Sequence, residues 1–154
     1  MKYISMNSPL GPLTFFEEGG NLLALEWGRA PACETSDLLE KAKKQLNDYF
    51  KGQLRNFDLP LKPKGTPFQQ SVWALIRDIP YGGSCAYGDL ALKLRSSPRA
   101  VGGACGRNPI PIIIPCHRVI SAGGKMTGYS AGGGVKDGVF LLNHESNWRT
   151  DSAV

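Results

Sequence analysis

Two apolar runs open the chain, Leu10 to Phe16 and Leu22 to Trp27, with Glu17, Glu18, Gly19, Gly20 and Asn21 between them. A short, polar, glycine-rich break between apolar runs marks a β-hairpin, because glycine and asparagine reach the left-handed backbone conformations of a tight turn. Residues 1 to about 30 are therefore predicted as strands, with a turn at Gly19-Gly20-Asn21. The period then changes. Leu38, Leu39, Ala42, Leu46, Tyr49 and Phe50 recur at helical spacing between residues 36 and 51. They follow Thr35-Ser36, whose hydroxyls can take the unpaired amides of a helix start. The stretch from Leu61 to Pro67, rich in lysine, proline and glycine, reads as a connector. It divides the chain near residue 63, into a leading α/β domain, 1–63, and a second domain, 64–154.

Beyond the connector the pattern is helical. Pro67 suits a first helical turn, where its missing amide is no loss. Phe68, Val72, Leu75 and Ile76 form an apolar stripe that Pro80-Tyr81-Gly82-Gly83 ends. A shorter helix is predicted from Tyr87 or Gly88 to Leu94, and another, opened by Pro98 after Arg95-Ser96-Ser97, from Arg99 to Gly106. Two short helices across a tight polar turn fit a helix-turn-helix, although a purely structural helical hairpin has the same pattern. The second of these helices carries little bulk, with Ala100, Gly102, Gly103, Ala104 and Gly106. Each glycine costs about 1 kcal/mol against alanine. That cost is understandable where something large must approach the backbone, either a nucleic-acid groove or a neighbouring helix. Arg99 is the side chain able to reach out from this bare surface. The predicted fold class is α+β: a small N-terminal sheet with a helix, then a mostly helical C-terminal domain.

Composition adds bounds. With 42% hydrophobic and 20% charged residues the chain has the balance of an ordinary soluble globular protein. It has no run of eighteen apolar residues, and its start, MKYISMNSPL, lacks the apolar core of a signal peptide. A cytoplasmic location is expected, or a nuclear one in a eukaryote. Eighteen Lys and Arg against thirteen Asp and Glu give a net charge of +5, which favours a polyanionic partner without identifying it. Cys33, Cys85, Cys105 and Cys116 form no CxxC pair, and His117 and His144 are the only histidines. No metal site is expected. Cys33, Cys85 and Cys105 are most simply packing residues or incidental thiols.

The chemistry concentrates in Pro115-Cys116-His117-Arg118-Val119, directly after Ile112-Ile113-Ile114. A thiol is a strong nucleophile only as thiolate, and a neighbouring base is the usual way to make one. Adjacent residues on a strand point to opposite faces, so this pair needs a turn or a helix start to cooperate. For an arbitrary Cys-His pair, a buried cysteine beside a surface histidine is the simpler reading.

The surroundings narrow it. Phe68-Gln69 with Val72-Trp73, Ile79-Pro80-Tyr81-Gly82, Tyr87-Gly88, Arg99-Ala100-Val101-Gly102, Asn108-Pro109, Ile113 to Val119, Gly128-Tyr129-Ser130, and Leu141-Leu142 with Glu145 follow in that order. The series closely resembles the methylated-DNA–protein-cysteine methyltransferases, the O6-alkylguanine-DNA alkyltransferases, over about residues 65 to 146. Ser8 to Leu13 is similar, less specifically, to that family's leading domain. The resemblance implies a single-turnover repair reaction on double-stranded DNA containing O6-alkylguanine, by a monomer without a cofactor. A flipped guanine would pass its O6-alkyl group to Cys116. His117 would take the thiol proton, through a water, and Glu145 would hold the imidazole. Asn108 would brace the turn, and also fits as a plain turn residue before Pro109. Tyr87 would press on the phosphate 3′ of the target and donate a proton to the base, and Arg99 would fill the vacated stack. Gly88, Ser97, Ala100 and Gly103 are the further DNA-contacting positions so implied. Pro111, Val119, Tyr129 and Ser130 would wall the alkyl pocket.

Three departures accompany the match. Ala86 stands where many relatives have serine. Counting back from Glu145, the position that is usually lysine falls on Gly138, with Lys136 two residues too early. The N-terminal Cys and His ligands of the zinc site in some relatives are missing. Two other functions fit the sequence less well. A lesion-binding relative without transfer chemistry would lack the acceptor cysteine. A Cys-His hydrolase would need an oxyanion hole and a peptide cleft, to which nothing in the sequence points. Activity on O4-alkylthymine stays open.

Overall fold

The computed structural model describes residues 1–149. Strands β1 (Lys2–Met6), β2 (Leu13–Glu18) and β3 (Asn21–Trp27) form an antiparallel sheet in the order β1-β2-β3. Phe15 faces Ile4 on one side and Leu25 on the other, and all three are buried with Met6, Leu13 and Leu22. The hairpin turns where predicted: Gly19 and Gly20 have φ of 61° and 83°, a left-handed pair whose twist suits the strands it joins. Helix α1 (Asp37–Phe50) covers this sheet with Leu39, Ala42, Leu46 and Tyr49. The Ser36 hydroxyl caps it by accepting from the Leu39 amide.

Helix α2 (Pro67–Arg77) begins with a reciprocal cap between Thr66 and Gln69 and buries Val72, Trp73 and Ile76. Helices α3 (Tyr87–Leu94) and α4 (Pro98–Gly106) follow. Arg95, in the left-handed region at φ 52°, turns the chain between them, and the pair forms the predicted helix-turn-helix. The Trp73 indole N–H donates to the Ala104 carbonyl at 2.9 Å and so fixes α4 on α2. A two-residue parallel pair, β4 (Cys85–Ala86) with β5 (Val119–Ile120), was not predicted; such short strands carry no periodic signal. Helix α5 (Val135–Arg149) closes the described chain.

The N-terminal and C-terminal parts are joined by specific bonds. The Leu25 amide on β3 donates to the Pro109 carbonyl at 2.9 Å. The imidazole of His144 bonds the Tyr49 carbonyl at 2.7 Å, and Arg55 donates to the Trp148 carbonyl at 2.7 Å. Just past α1, Gly52 has φ 75°, and a Cβ there would lie 2.0 Å from the Trp148 ring. Gly52→Ala is expected to destabilise the protein by at least about 1–2 kcal/mol, the usual cost of left-handed backbone for an L-residue. The displaced indole adds to that cost, and urea unfolding measures the sum.

Candidate active site

After α4 the chain makes a buried loop, Ile110 to Pro115, whose side chains leave almost no surface exposed. Ile112 holds φ 74°, a conformation that β-branched residues rarely adopt and that costs on the order of 1–3 kcal/mol. Asn108 braces this loop on both sides. Its amide N–H donates to the Ile114 carbonyl at 2.9 Å, and its carbonyl accepts from the Ile110 amide at 2.9 Å. The same amide nitrogen lies 3.1 Å from Cys116 Sγ, as a donor to the sulfur.

Cys116, His117 and Arg118 form one turn of 3-10 helix. Three residues per turn send successive side chains in three directions, so the Cys-His pair has the helical start it requires. The thiol reaches a cavity of about 140 Å³ lined by Tyr87, Cys105, Asn108, Pro111, Tyr129 and Ser130 among others. His117 and Arg118 turn inward to Glu145 on α5.

The Glu145 carboxylate is 1% exposed. Oε2 accepts from Tyr49 Oη at 2.7 Å and Arg118 Nη2 at 3.0 Å, and bonds His117 Nε2 at 2.6 Å. Oε1 accepts from Arg118 Nε at 2.9 Å and the Gly82 amide at 3.2 Å. Burial pushes the Glu145 carboxyl pKa up, but the bonds and charges of His117 and Arg118 outweigh it and hold it well below the usual carboxylate range. An ionised carboxylate can only accept, so the imidazole proton sits on Nε2. Nδ1, buried and without a hydrogen-bond partner among the described residues, is then the open acceptor. Burial lowers the His117 pKa although Glu145 pulls the other way, and the resting ring is neutral. Cys116 is shifted up, first by hydrogen bonding with the Cys105 side chain and then by burial, against the Asn108 donor. The resting group at position 116 is a thiol.

Tyr87 lines the cavity, with its ring 3.8 Å from where a Cβ of Gly102 would lie. Burial, then Cys105 and Cys116, push its pKa up to about 12, so it remains a proton donor. Tyr129 is likewise shifted up by burial. Gly88 and Gly103 would put a Cβ into open space, and Arg99, Ala100 and Gly103 are exposed along the outer face of α4. Ser97 spends its hydroxyl as the α4 cap, accepting from the Ala100 amide at 3.1 Å. Ala86 heads α3 without a side-chain cap, and only the Asp89 carboxylate reaches back to its amide.

Val119 is a correction. It does not line the cavity; the chain becomes extended after the 3-10 turn, and Val119 pairs with Cys85 in the core at 0% exposure. Gly138 is resolved in another way. Helix α5 runs through it, and a Cβ there would meet Tyr129 Cβ at 2.9 Å and Met126 Sδ at 3.0 Å. The glycine makes room for Tyr129, while Lys136 is exposed on the first turn. Sequence reasoning missed Tyr49, Arg118 and Cys105 as site residues. Arg118 had a signal, its place inside the Cys-His motif; Tyr49 had none beyond its helical spacing.

A thiol, a neutral imidazole and a buried carboxylate behind a small cavity, set beside a helix-turn-helix, define a cysteine-nucleophile protein with a nucleic-acid-binding architecture. Comparison with known proteins specifies it. Residues 67–147 match the family model described as 6-O-methylguanine DNA methyltransferase, DNA binding domain, and residues 1–63 match that enzyme's ribonuclease-like domain. The chain belongs to this family. It is 41% identical to a methylated-DNA–protein-cysteine methyltransferase of Methanosarcina acetivorans, over 96% of this chain and 99% of that protein. It is 45% identical to one of Mycobacterium tuberculosis, over 94% and 92%. It superposes on a crystal structure of Mycobacterium tuberculosis OGT in complex with DNA with a TM-score of 0.86 and 42% identity, covering 96% of this chain and 94% of that one.

Removing one partner of a buried ion pair leaves the other uncompensated. Glu145→Ala, which strands Arg118, is expected to cost about 3–5 kcal/mol. The folded pKa values of Glu145 and His117 are both depressed. Their stabilisation is therefore complete above about pH 6.5, the ordinary imidazole value, and is lost as pH falls through the folded values. Urea unfolding at neutral and mildly acid pH should show that decline in the wild type and one at least as steep in Glu145→Ala, where loss of the carboxylate lowers the His117 pKa further.

Proposed function

We propose that the protein repairs DNA by direct reversal, transferring the O6-alkyl group of guanine irreversibly to Cys116. The observation that carries this is the Cys116 thiol at the cavity wall, with a neutral His117 held by Glu145 behind it. Residues 1–63 form the leading domain of this reading, and residues 64–154 bind DNA and do the chemistry.

Guanine O6 is out of reach inside a duplex, so the base must leave the stack. The exposed, low-bulk face of α4 lets a groove come close, and Arg99 at its start occupies the space the base vacates. Gly88, Ala100 and Gly103 keep that approach open, and Ser97 orders the helix start. In the cavity, His117 takes the Cys116 proton through a water. The thiolate then attacks the alkyl carbon in line with the C–O bond. The S–C bond forms as the O6–C bond breaks, and the released electron pair stays on the purine. Tyr87 donates a proton to the base and is restored by the proton that His117 took from Cys116, leaving guanine and a thioether on Cys116. No step regenerates the thiol, so each molecule acts once. Pro111, Tyr129 and Ser130 wall the alkyl group. The chemistry needs no cofactor, and the protein acts as a monomer in the compartment that holds the DNA: the cytoplasm, or the nucleus in a eukaryote. Among the described residues no helix is long and apolar enough to cross a membrane.

Intact-protein mass spectrometry after incubation with an oligonucleotide carrying one O6-methylguanine tests the reading. One methyl added to the wild type and none to Cys116→Ser is expected; tight binding with no mass change would favour lesion recognition without transfer. Arg99→Ala should slow transfer to duplex DNA at least tenfold while changing affinity for undamaged duplex by less than about threefold. Equal losses in both would remove the flipping role from Arg99.

A further inference from the structure

Tyr49 belongs to α1, on the N-terminal side of the connector, yet its phenol ends on the active-site carboxylate. Its Oη donates to Glu145 Oε2 at 2.7 Å, the same oxygen that bonds His117 Nε2 at 2.6 Å. The next contact fixes the backbone of the same residue: the Tyr49 carbonyl bonds His144 Nε2 at 2.7 Å. Two consecutive residues of α5 thus hold Tyr49 at both ends, and its side chain is 0% exposed. A residue placed only to fill the interface between α1 and α5 would not need a hydroxyl there. Burying a phenol oxygen is costly unless it is bonded, and here its bond goes to the group that orients the base.

We propose that Tyr49 is a positioning residue of the transfer reaction: it fixes the Glu145 oxygen that faces His117 and moderates the negative charge that the imidazole feels. The proposal rests on the reading of Cys116 as alkyl acceptor and His117 as its base. Burial and the neighbouring Glu145 charge shift Tyr49 well above the ordinary phenol range, so it remains a donor throughout the working pH range. Other groups also face this carboxylate and imidazole. Arg118 makes two bonds to Glu145 from the 3-10 turn. His144 acts on His117 from α5. Tyr81 sits beneath Arg118, with the Arg55 guanidinium 5.1 Å from its ring centre. Of these, Arg118 Nη2 also donates to Oε2, at 3.0 Å, and Tyr49 adds the shorter, neutral donor on that oxygen at 2.7 Å.

Loss of that donor concentrates charge on Oε2, raises the affinity of His117 for a proton, and moves the acid limb of the transfer rate to higher pH. The test is the pH profile of single-turnover methyl transfer from an O6-methylguanine duplex, read as methylated Cys116 by mass spectrometry. Tyr49→Phe should move the acid midpoint up by about half a pH unit or more, against the 1.36 kcal/mol that a full unit represents. Tyr81→Phe is the matched control. It removes a buried hydroxyl from the same aromatic cluster, one with no hydrogen-bond partner among the described residues, and should leave the midpoint in place. If Tyr49→Phe does not fold, 3-fluorotyrosine incorporated at position 49 keeps the bond but makes it stronger, and should move the midpoint down. Midpoints for the Tyr49 variants that coincide with the wild type, or an equal shift in Tyr81→Phe, overturn the proposal. A wild type that never methylates Cys116 overturns the underlying reading instead.

Discussion

The buried Glu145 carboxylate is the constraint on which the rest depends. A charge at 1% exposure is sustained only if its oxygens are fully bonded, and five donor atoms converge on it from three places. Tyr49 comes from α1, Gly82 from the turn after α2, His117 and Arg118 from the 3-10 turn, and α5 carries the glutamate itself. None of these elements can shift without leaving a charge unpaired in a low-dielectric interior. The same convergence fixes the imidazole tautomer. One set of bonds therefore holds both the carboxylate and the imidazole, and Tyr49 of α1 brings the N-terminal part into it.

The second constraint is space. The reacting cavity is bounded by small or backbone-braced elements: Gly106 at the end of α4, Asn108 and Pro111 in the loop, and Tyr129 and Ser130 opposite. Tyr129 can sit where it does because Gly138 offers no side chain beneath it. Behind the same loop, Gly132 lies against Trp27 of β3, where a Cβ would come within 2.1 Å of the indole nitrogen. The N-terminal part thus meets the segment that borders the cavity, through Trp27 of β3, and the Glu145 carboxylate, through Tyr49 of α1. The departure at Gly138 becomes intelligible in these terms: a lysine there would collide with the ring that walls the pocket.

Much of the fold was legible because its signals are local. Ser36 caps α1, Pro67 opens α2, Gly19-Gly20 turns the hairpin, and the polar Arg95-Ser96-Ser97 break separates the two helices of the helix-turn-helix. Cys116, His117, Asn108, Tyr87 and Glu145 were recognisable from ordered motifs, and the structure brings them together around one thiol. What escaped was long-range or two-faced. Tyr49 and Glu145 are 96 residues apart, and an apolar-face tyrosine carries no mark of the carboxylate it will meet. Cys105 read as packing, yet it borders the cavity beside Cys116. Val119 followed the motif into the expected pocket, but a 3-10 turn, invisible to periodicity, carried it into the core.

Proton transfer from Cys116 to His117, as proposed, requires a neutral ring whose Nε2–H is held by an ionised Glu145 and whose Nδ1 is open. Nitrogen-15 NMR of the histidine side chains in the unreacted protein reads that state directly. At pH 7 His117 should be neutral, with the proton on Nε2, and should titrate below the ordinary imidazole value. A protonated ring at pH 7, or a proton on Nδ1, would contradict it.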